Sequence, residues 1–274
     1  MTTVKTKSHF DFVMTEGVSL VEAWQTLEKH WLIPTTGQPL PKTPSYSFLR
    51  MFLSPFLRPA LNAKMHGLHN IPRKGSVILA ANHLSHVDPI FVIASARRTT
   101  HYLAKDGHFK NAAMSFVMRA TGQIETKRDK GGQGALSSAA DVLSSGQALG
   151  IFPEGTRSKR TEAPFLLPGK TGVARLAASY PDSVVVPIAL MGTRKMMMPQ
   201  DHKVPRLWRR ITLSAGQGIT WMQWLGDQQG GNMNAQQLID LSGQDEHEVR
   251  ATLATLYRKF TDQLMGSISA LGAP

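Results

Sequence analysis

Cysteine is absent from all 274 residues. No disulfide can form, and any mechanism built on a thiolate nucleophile or a thiolate metal ligand is excluded. Long apolar runs are missing too: no stretch reaches the ~18 residues of a membrane-spanning helix. The opening segment MTTVKTKSHFDFVMTEG carries neither the apolar core nor the small-residue cleavage site of a secretory signal. Any membrane role is therefore expected to be peripheral. Acidic residues are scarce overall, 19 against 31 lysines and arginines, a formal charge of +12. None lies between Glu28 and Asp88, where Lys29, Lys42, Arg50, Arg58, Lys64, Arg73 and Lys74 all fall. Such an excess favours an anionic partner without naming it: nucleic acid, acidic lipid or a phosphorylated substrate.

What is present reads as a globular chain with 42% hydrophobic residues and no internal repeat. Ser19 and Glu22 have capping-box spacing, and Leu20, Val21, Trp24, Leu27 and Trp31 follow helical periodicity until Pro34. A proline-stiffened linker leads to YSFLRMFLSPFLRPALNAKM. There Phe48, Phe52 and Phe56 share a helical face opposite Arg50, Arg58 and Lys64, and Pro55 and Pro59 divide the segment into short helices. Apolar residues facing a basic edge suit an interfacial helix, and core packing is the rival reading. We accordingly expect residues 1–66 to form an amphipathic membrane-docking region and residues 67–274 an α/β domain. From about residue 75 strand-like runs (SVILAANH, THYLAK, GQIETKR, ALGIF, SVVVPIAL) alternate with helical ones, which predicts a mainly parallel sheet flanked by helices. GDQQGGNMNAQQ reads as a surface loop. Val249, Leu253, Leu256, Phe260 and Leu264 mark a final amphipathic helix.

Two segments carry chemistry. In Asn82-His83-Leu84-Ser85-His86-Val87-Asp88-Pro89, four residues separate His83 from Asp88. On an ideal helix the two would lie roughly 140° apart, so only a turn between strand and helix brings them together. Asp88 before Pro89 also has the form of a helix N-cap. A His–Asp pair supplies a general base: the carboxylate orients the imidazole while the ring takes a proton from a hydroxyl. No Gly-x-Ser-x-Gly elbow exists, which weakens a serine intermediate and favours direct attack by an acceptor hydroxyl. His86 is a rival base. The second segment is Phe152-Pro153-Glu154-Gly155-Thr156-Arg157-Ser158. Gly155 permits close backbone approach, Thr156 can donate a hydrogen bond, and the forked Arg157 cation suits phosphate.

Together these segments resemble the 1-acyl-sn-glycerol-3-phosphate acyltransferase family of glycerolipid acyltransferases. That family pairs a histidine and an aspartate at the spacing of His83 and Asp88, and carries a Glu-Gly-Thr-Arg block like Glu154 to Arg157. Leu103-Ala104-Lys105 with Gly122-Gln123-Ile124 and Arg128 is similar to a second family block, and Val186-Pro187-Ile188-Ala189 to a fourth. The four occur in the family's order over about residues 68–195. The resemblance implies His83 as base with Asp88 as its partner. It implies that Lys105, Arg128 and Arg157 bind the acceptor phosphate in a site shaped by Glu154, Gly155 and Thr156. It implies acyl transfer from a thioester of coenzyme A or acyl carrier protein to the sn-2 hydroxyl of 1-acyl-glycerol-3-phosphate, giving phosphatidic acid. No metal or redox cofactor is expected, and the place of action is the cytoplasmic face of the cell membrane. The second block departs from the family's pattern. Asp106-Gly107-His108-Phe109 follows Lys105 without the usual glutamate and later proline, and Lys127 replaces the acidic residue before Arg128. These differences bear on the acceptor.

Gly169-Lys170-Thr171 ends like a phosphate-binding P-loop, yet Pro164 stands where the earlier glycine is required. Nucleotide hydrolysis is rejected on that ground, and Lys170 stays a candidate phosphate contact. Met196, Met197 and Met198 suit either an acyl groove or adaptable core packing. The rival functions are the same chemistry on another lysolipid or an acylated amino acid, and a non-catalytic basic protein on anionic membrane or nucleic acid. The last leaves the ordered motifs unexplained, and nucleic acid is not expected as a partner.

Overall fold

The computed structural model describes residues 17–41, 43, 46, 63–105, 122–126, 131–198 and 206–274. Helices α1 (Leu20–Gln25) and α2 (Glu28–Trp31) come first. Strand β1 (Ala63–His66), a 3-10 turn at Leu68–Asn70, β2 (Val77–Ala81), α3 (Asp88–Ala96), β3 (Thr100–Lys105) and β4 (Ile124–Thr126) follow. Next are α4 (Gly131–Ser144), β5 (Ala148–Ile151), α5 (Gly172–Ser179), β6 (Val184–Met191), α6 (Thr193–Met196) and β7 (Ile211–Ala215). Helices α7 (Trp221–Gly226), α8 (Ala235–Ser242) and α9 (Glu246–Ala270) end the chain.

Among the described residues the strands form one seven-stranded sheet in the order β1-β7-β6-β2-β5-β3-β4. The five from β6 to β4 are mutually parallel. Strand β7 runs antiparallel to β6, and β1 pairs parallel to β7 at the edge. The expected α/β architecture with a mainly parallel sheet is thus observed. Central strand β2 is buried throughout because both its faces are covered. Ile78 and Ala80 enter one core with Leu149, Val185 and residues of α4, α5 and α9. Val77, Leu79 and Ala81 enter the other with Phe91 and Val92 of α3.

Three sequence expectations change. The boundary at residue 66 does not follow the packing. The capping box at Ser19 and Glu22 forms, but Leu20, Trp24, Leu27 and Trp31 bury their side chains in the core of the α/β domain. Trp24 is 1% exposed, stacks on Trp31 at 5.5 Å and contacts Trp221 at the same ring separation; its Nε1 donates to Ala178 O at 3.1 Å. An apolar helical stripe is equally suited to lipid and to protein, and here it covers α5 and α7. Residues 63–66, assigned to a helical segment, are an edge strand. The Phe48, Phe52 and Phe56 face lies outside the described residues. Finally, the stretch expected as a loop ends in α8, opened by a capping box between Asn234 and Gln237.

Since Trp24 seals the core, Trp24→Ala should lower unfolding free energy by about 3–5 kcal/mol in a denaturant titration. A loss below about 1 kcal/mol would place the tryptophan outside the cooperative core.

Candidate active site

The site forms at the carboxyl ends of β2 and β5, neighbouring parallel strands with Ala80 level with Ile151. Open α/β sheets place ligands at such ends. Where β2 stops, Asn82 continues the pairing with its side chain: Nδ2 donates to Leu190 O at 3.0 Å and Oδ1 accepts from Leu190 N at 2.7 Å. This fixes the point from which His83 leaves the sheet.

The turn after Asn82 folds around one carboxylate. Asp88 is fully buried, and its Oδ2 accepts from His83 Nδ1 at 2.9 Å, Leu84 N at 2.6 Å and Ser85 N at 2.6 Å. The turn thus brings together the pair that a continuous helix would separate. Asp88 is the first residue of α3, preceded by Val87, so it does not cap that helix as expected. Its carboxylate reaches back to the turn, where two main-chain donors need an acceptor. A carboxylate facing Nδ1 sets the proton on that nitrogen and leaves Nε2 as the acceptor. The His83 side chain remains 17% exposed and stacks on Phe152, ring centroids 3.9 Å apart and planes within 9°. Imidazole position is thereby fixed on two sides. The rival base, His86, is exposed and has the Arg157 guanidinium on its Nε2. The ring held by Asp88 is that of His83.

The Glu154–Arg157 loop is tied to the same turn. Glu154, 2% exposed, accepts from His83 N through Oε1 at 2.6 Å and from Leu167 N through Oε2 at 2.8 Å. Ser158 N donates to His83 O at 3.0 Å. Both Glu154 oxygens therefore serve the backbone, and the residue holds the loop beside His83 rather than presenting its carboxylate to a phosphate. Burial raises its pKa to about 7, against the lowering effect of the Leu167 and His83 amides. Gly155 has φ +69°, a left-handed conformation that disfavours side chains, and a Cβ there would meet Lys170 at 3.0 Å. Lys170 N in turn donates to Pro153 O at 2.8 Å. Thr156 is exposed. Partial burial lowers the Arg157 pKa while the Asp88 charge opposes the shift, and the guanidinium stays cationic.

Of the remaining expected phosphate ligands, the backbone of Lys105 ends β3 at this edge of the sheet, with Tyr102 level with Gly150. Arg128 lies outside the described residues. Sequence reasoning gave no role to Phe152, although it opens the segment that carries the Glu-Gly-Thr-Arg block. It also missed Ser85, whose Oγ donates to Met197 O at 2.7 Å and anchors the turn to α6. Met196 is buried in the core and Met197 packs against it.

The acyltransferase family model matches residues 62–191. That stretch, just under half of the chain, is similar to acyltransferase domains. It contains the whole His83–Asp88 turn and the Glu154–Arg157 loop. The chain is 31% identical over 157 residues to the chloroplastic 1-acyl-sn-glycerol-3-phosphate acyltransferase of Arabidopsis thaliana, covering 54% of this chain and 41% of that protein. It is 28% identical over 134 residues to the 1-acyl-sn-glycerol-3-phosphate acyltransferase of Borreliella burgdorferi, covering 48% of this chain and 52% of the relative. The chain thus spans about half the length of these relatives. The crystal structure of the 1-acyl-sn-glycerophosphate acyltransferase PlsC from Thermotoga maritima shares the fold described above. Its TM-score is 0.51 at 19% identity, over 80% of this chain and 81% of that one.

The raised Glu154 pKa has a consequence for stability. Between its ordinary value of 4.5 and about 7 the folded acid holds a proton that the unfolded one has released. Stability should therefore fall as pH rises through that window and level off above it, by up to about 3 kcal/mol. Denaturant titrations of the parent and Glu154→Gln across this range check it. The variant should lack this component of the slope, and an unchanged slope would remove Glu154 as its source.

Proposed function

We propose that the protein transfers a fatty acyl group from a thioester of coenzyme A or acyl carrier protein to the sn-2 hydroxyl of 1-acyl-glycerol-3-phosphate, forming phosphatidic acid. The observation that carries this reading is the His83 imidazole, held through Nδ1 by buried Asp88, beside a loop that brings the Arg157 cation to the same turn. The similarity to 1-acyl-sn-glycerol-3-phosphate acyltransferases supports the acceptor.

In this mechanism His83 Nε2 takes the proton of the acceptor hydroxyl as its oxygen attacks the thioester carbonyl. The C–O bond forms, and Asp88 stabilises the imidazolium. Collapse of the tetrahedral intermediate breaks the C–S bond, and the departing thiolate receives the proton from His83. The products are an ester and a free thiol, with His83 returned to its starting state. Arg157 of the loop and the exposed Lys170 beside it are cations for an acceptor phosphate, a planar fork and a point charge respectively. Long acyl chains on acceptor and product suit a reaction at a lipid surface, which we assign to the cytoplasmic face of a cell membrane. Among the described residues no helix is long and apolar enough to cross a membrane.

Replacing His83 by alanine tests the reading. Thioester release with 1-acyl-glycerol-3-phosphate should drop by ~10²–10⁴ in turnover, with the variant still folded by circular dichroism. Near-parental activity would refute the assignment. A parent that acylates another lysolipid or an acylated amino acid in preference would keep the chemistry and replace the acceptor.

A further inference from the structure

The five-residue turn Arg206-Leu207-Trp208-Arg209-Arg210 has no part in the chemistry, yet it is built into the edge of the site. Arg206 N donates to Met196 O at 2.9 Å, and the next residue, Met197, holds the Ser85 hydroxyl of the His83 turn. Strand β7 then begins at Ile211 antiparallel to β6, with Thr212 level with Met191. The turn therefore sits at the sheet edge from which His83 and Glu154 emerge.

Its composition is unusual for a solvated turn. Trp208 is 71% exposed and Leu207 50%, the two highest values among the exposed large hydrophobics of the described residues. Trp24, Trp31, Trp221 and Trp224, the other tryptophans, are all buried. A short bond from Arg209 N to Arg206 O, 3.1 Å, closes the turn and fixes its shape. Three arginines flank the apolar pair, the next acidic residue along the chain is Asp227, and Lys195 of α6 is exposed nearby in sequence. Ile90, in the first turn of α3 just past the His83 turn, adds a third exposed apolar side chain on this edge. An exposed indole and leucine flanked in sequence by three arginines match the interfacial zone of an anionic bilayer: the apolar pair enters the acyl boundary and the arginines meet headgroup phosphates.

We propose that the Arg206–Arg210 turn inserts into an anionic lipid surface and sets the mouth of the active site against it. This deepens the lipid-acyltransferase reading by assigning the docking surface, since the apolar stripe of α1 and α2 is spent on the core. An acidic carrier protein also has the charge to meet the arginines, but it gives no reason for an exposed Trp-Leu pair.

Trp208 is a built-in reporter. The full-length protein is mixed with vesicles of phosphatidylcholine and phosphatidylglycerol carrying bromine on their acyl chains, and emission is recorded. Quenching and a blue shift are expected in the parent and absent in Trp208→Phe, the other tryptophans being enclosed. The double variant Arg209→Glu, Arg210→Glu should bind these vesicles at least tenfold more weakly in sedimentation. It should keep parental turnover of a short-chain acceptor and thioester dissolved as monomers. Quenching that survives Trp208→Phe, unchanged binding by the double variant, or a Trp208 response to acyl carrier protein without one to vesicles overturns the proposal. A parent that shows the Trp208 quenching but transfers no acyl group would leave this surface standing and refute the enzymatic reading alone.

Discussion

The site depends on a single buried oxygen, Asp88 Oδ2, which gathers three N–H groups: the His83 ring and the amides of Leu84 and Ser85. A carboxylate without water is tolerable only with such donors, and here the amino end of α3 adds a favourable field. The same bonds that hold Oδ2 also close the turn. Catalytic geometry and backbone satisfaction are therefore one interaction seen from two sides. With Nδ1 committed to the carboxylate, chemistry is left to Nε2, and no second residue has to choose the tautomer.

A second acid completes the frame. Glu154 clasps the amide of His83 from the neighbouring strand end, and Ser158 N returns a bond to the His83 carbonyl. The histidine is therefore held by its ring, its amide and its carbonyl, the first bond leading to Asp88 and the other two to the Glu154–Ser158 segment. Burial leaves Glu154 reluctant to ionise, a cost set against fixing the loop that carries Arg157. Two carboxyl groups at adjacent strand ends thus divide the work. Asp88 orients the His83 imidazole, and Glu154 positions the loop beside it.

Much of this was legible in the amino-acid order because the turn is local. His83, Asp88 and the residues between them form a closed unit, and the alternation of strands and helices announces a parallel sheet with its ligand end at the strand carboxyl termini. What escaped was either non-local or ambiguous. The stacking of Phe152 on His83 joins residues far apart in the chain. Glu154 reads as a site acid, and only the fold shows that both its oxygens face main-chain amides. The Leu20–Trp31 stripe has the period of a buried helix and of an interfacial one alike, and only Trp221 and Ala178 on its far side decide between them. The helix at Ala235–Ser242 carried a readable Asn234–Gln237 box that the surrounding glycines and glutamines obscured.

The central claim concerns one proton on one ring, and nitrogen-15 NMR of the imidazoles, assigned by comparison with a His83 variant, tests it most directly. The account requires the neutral His83 ring to carry its proton on Nδ1, hydrogen-bonded to Asp88, and none on Nε2. A spectrum with the proton on Nε2 and a free Nδ1 would contradict it.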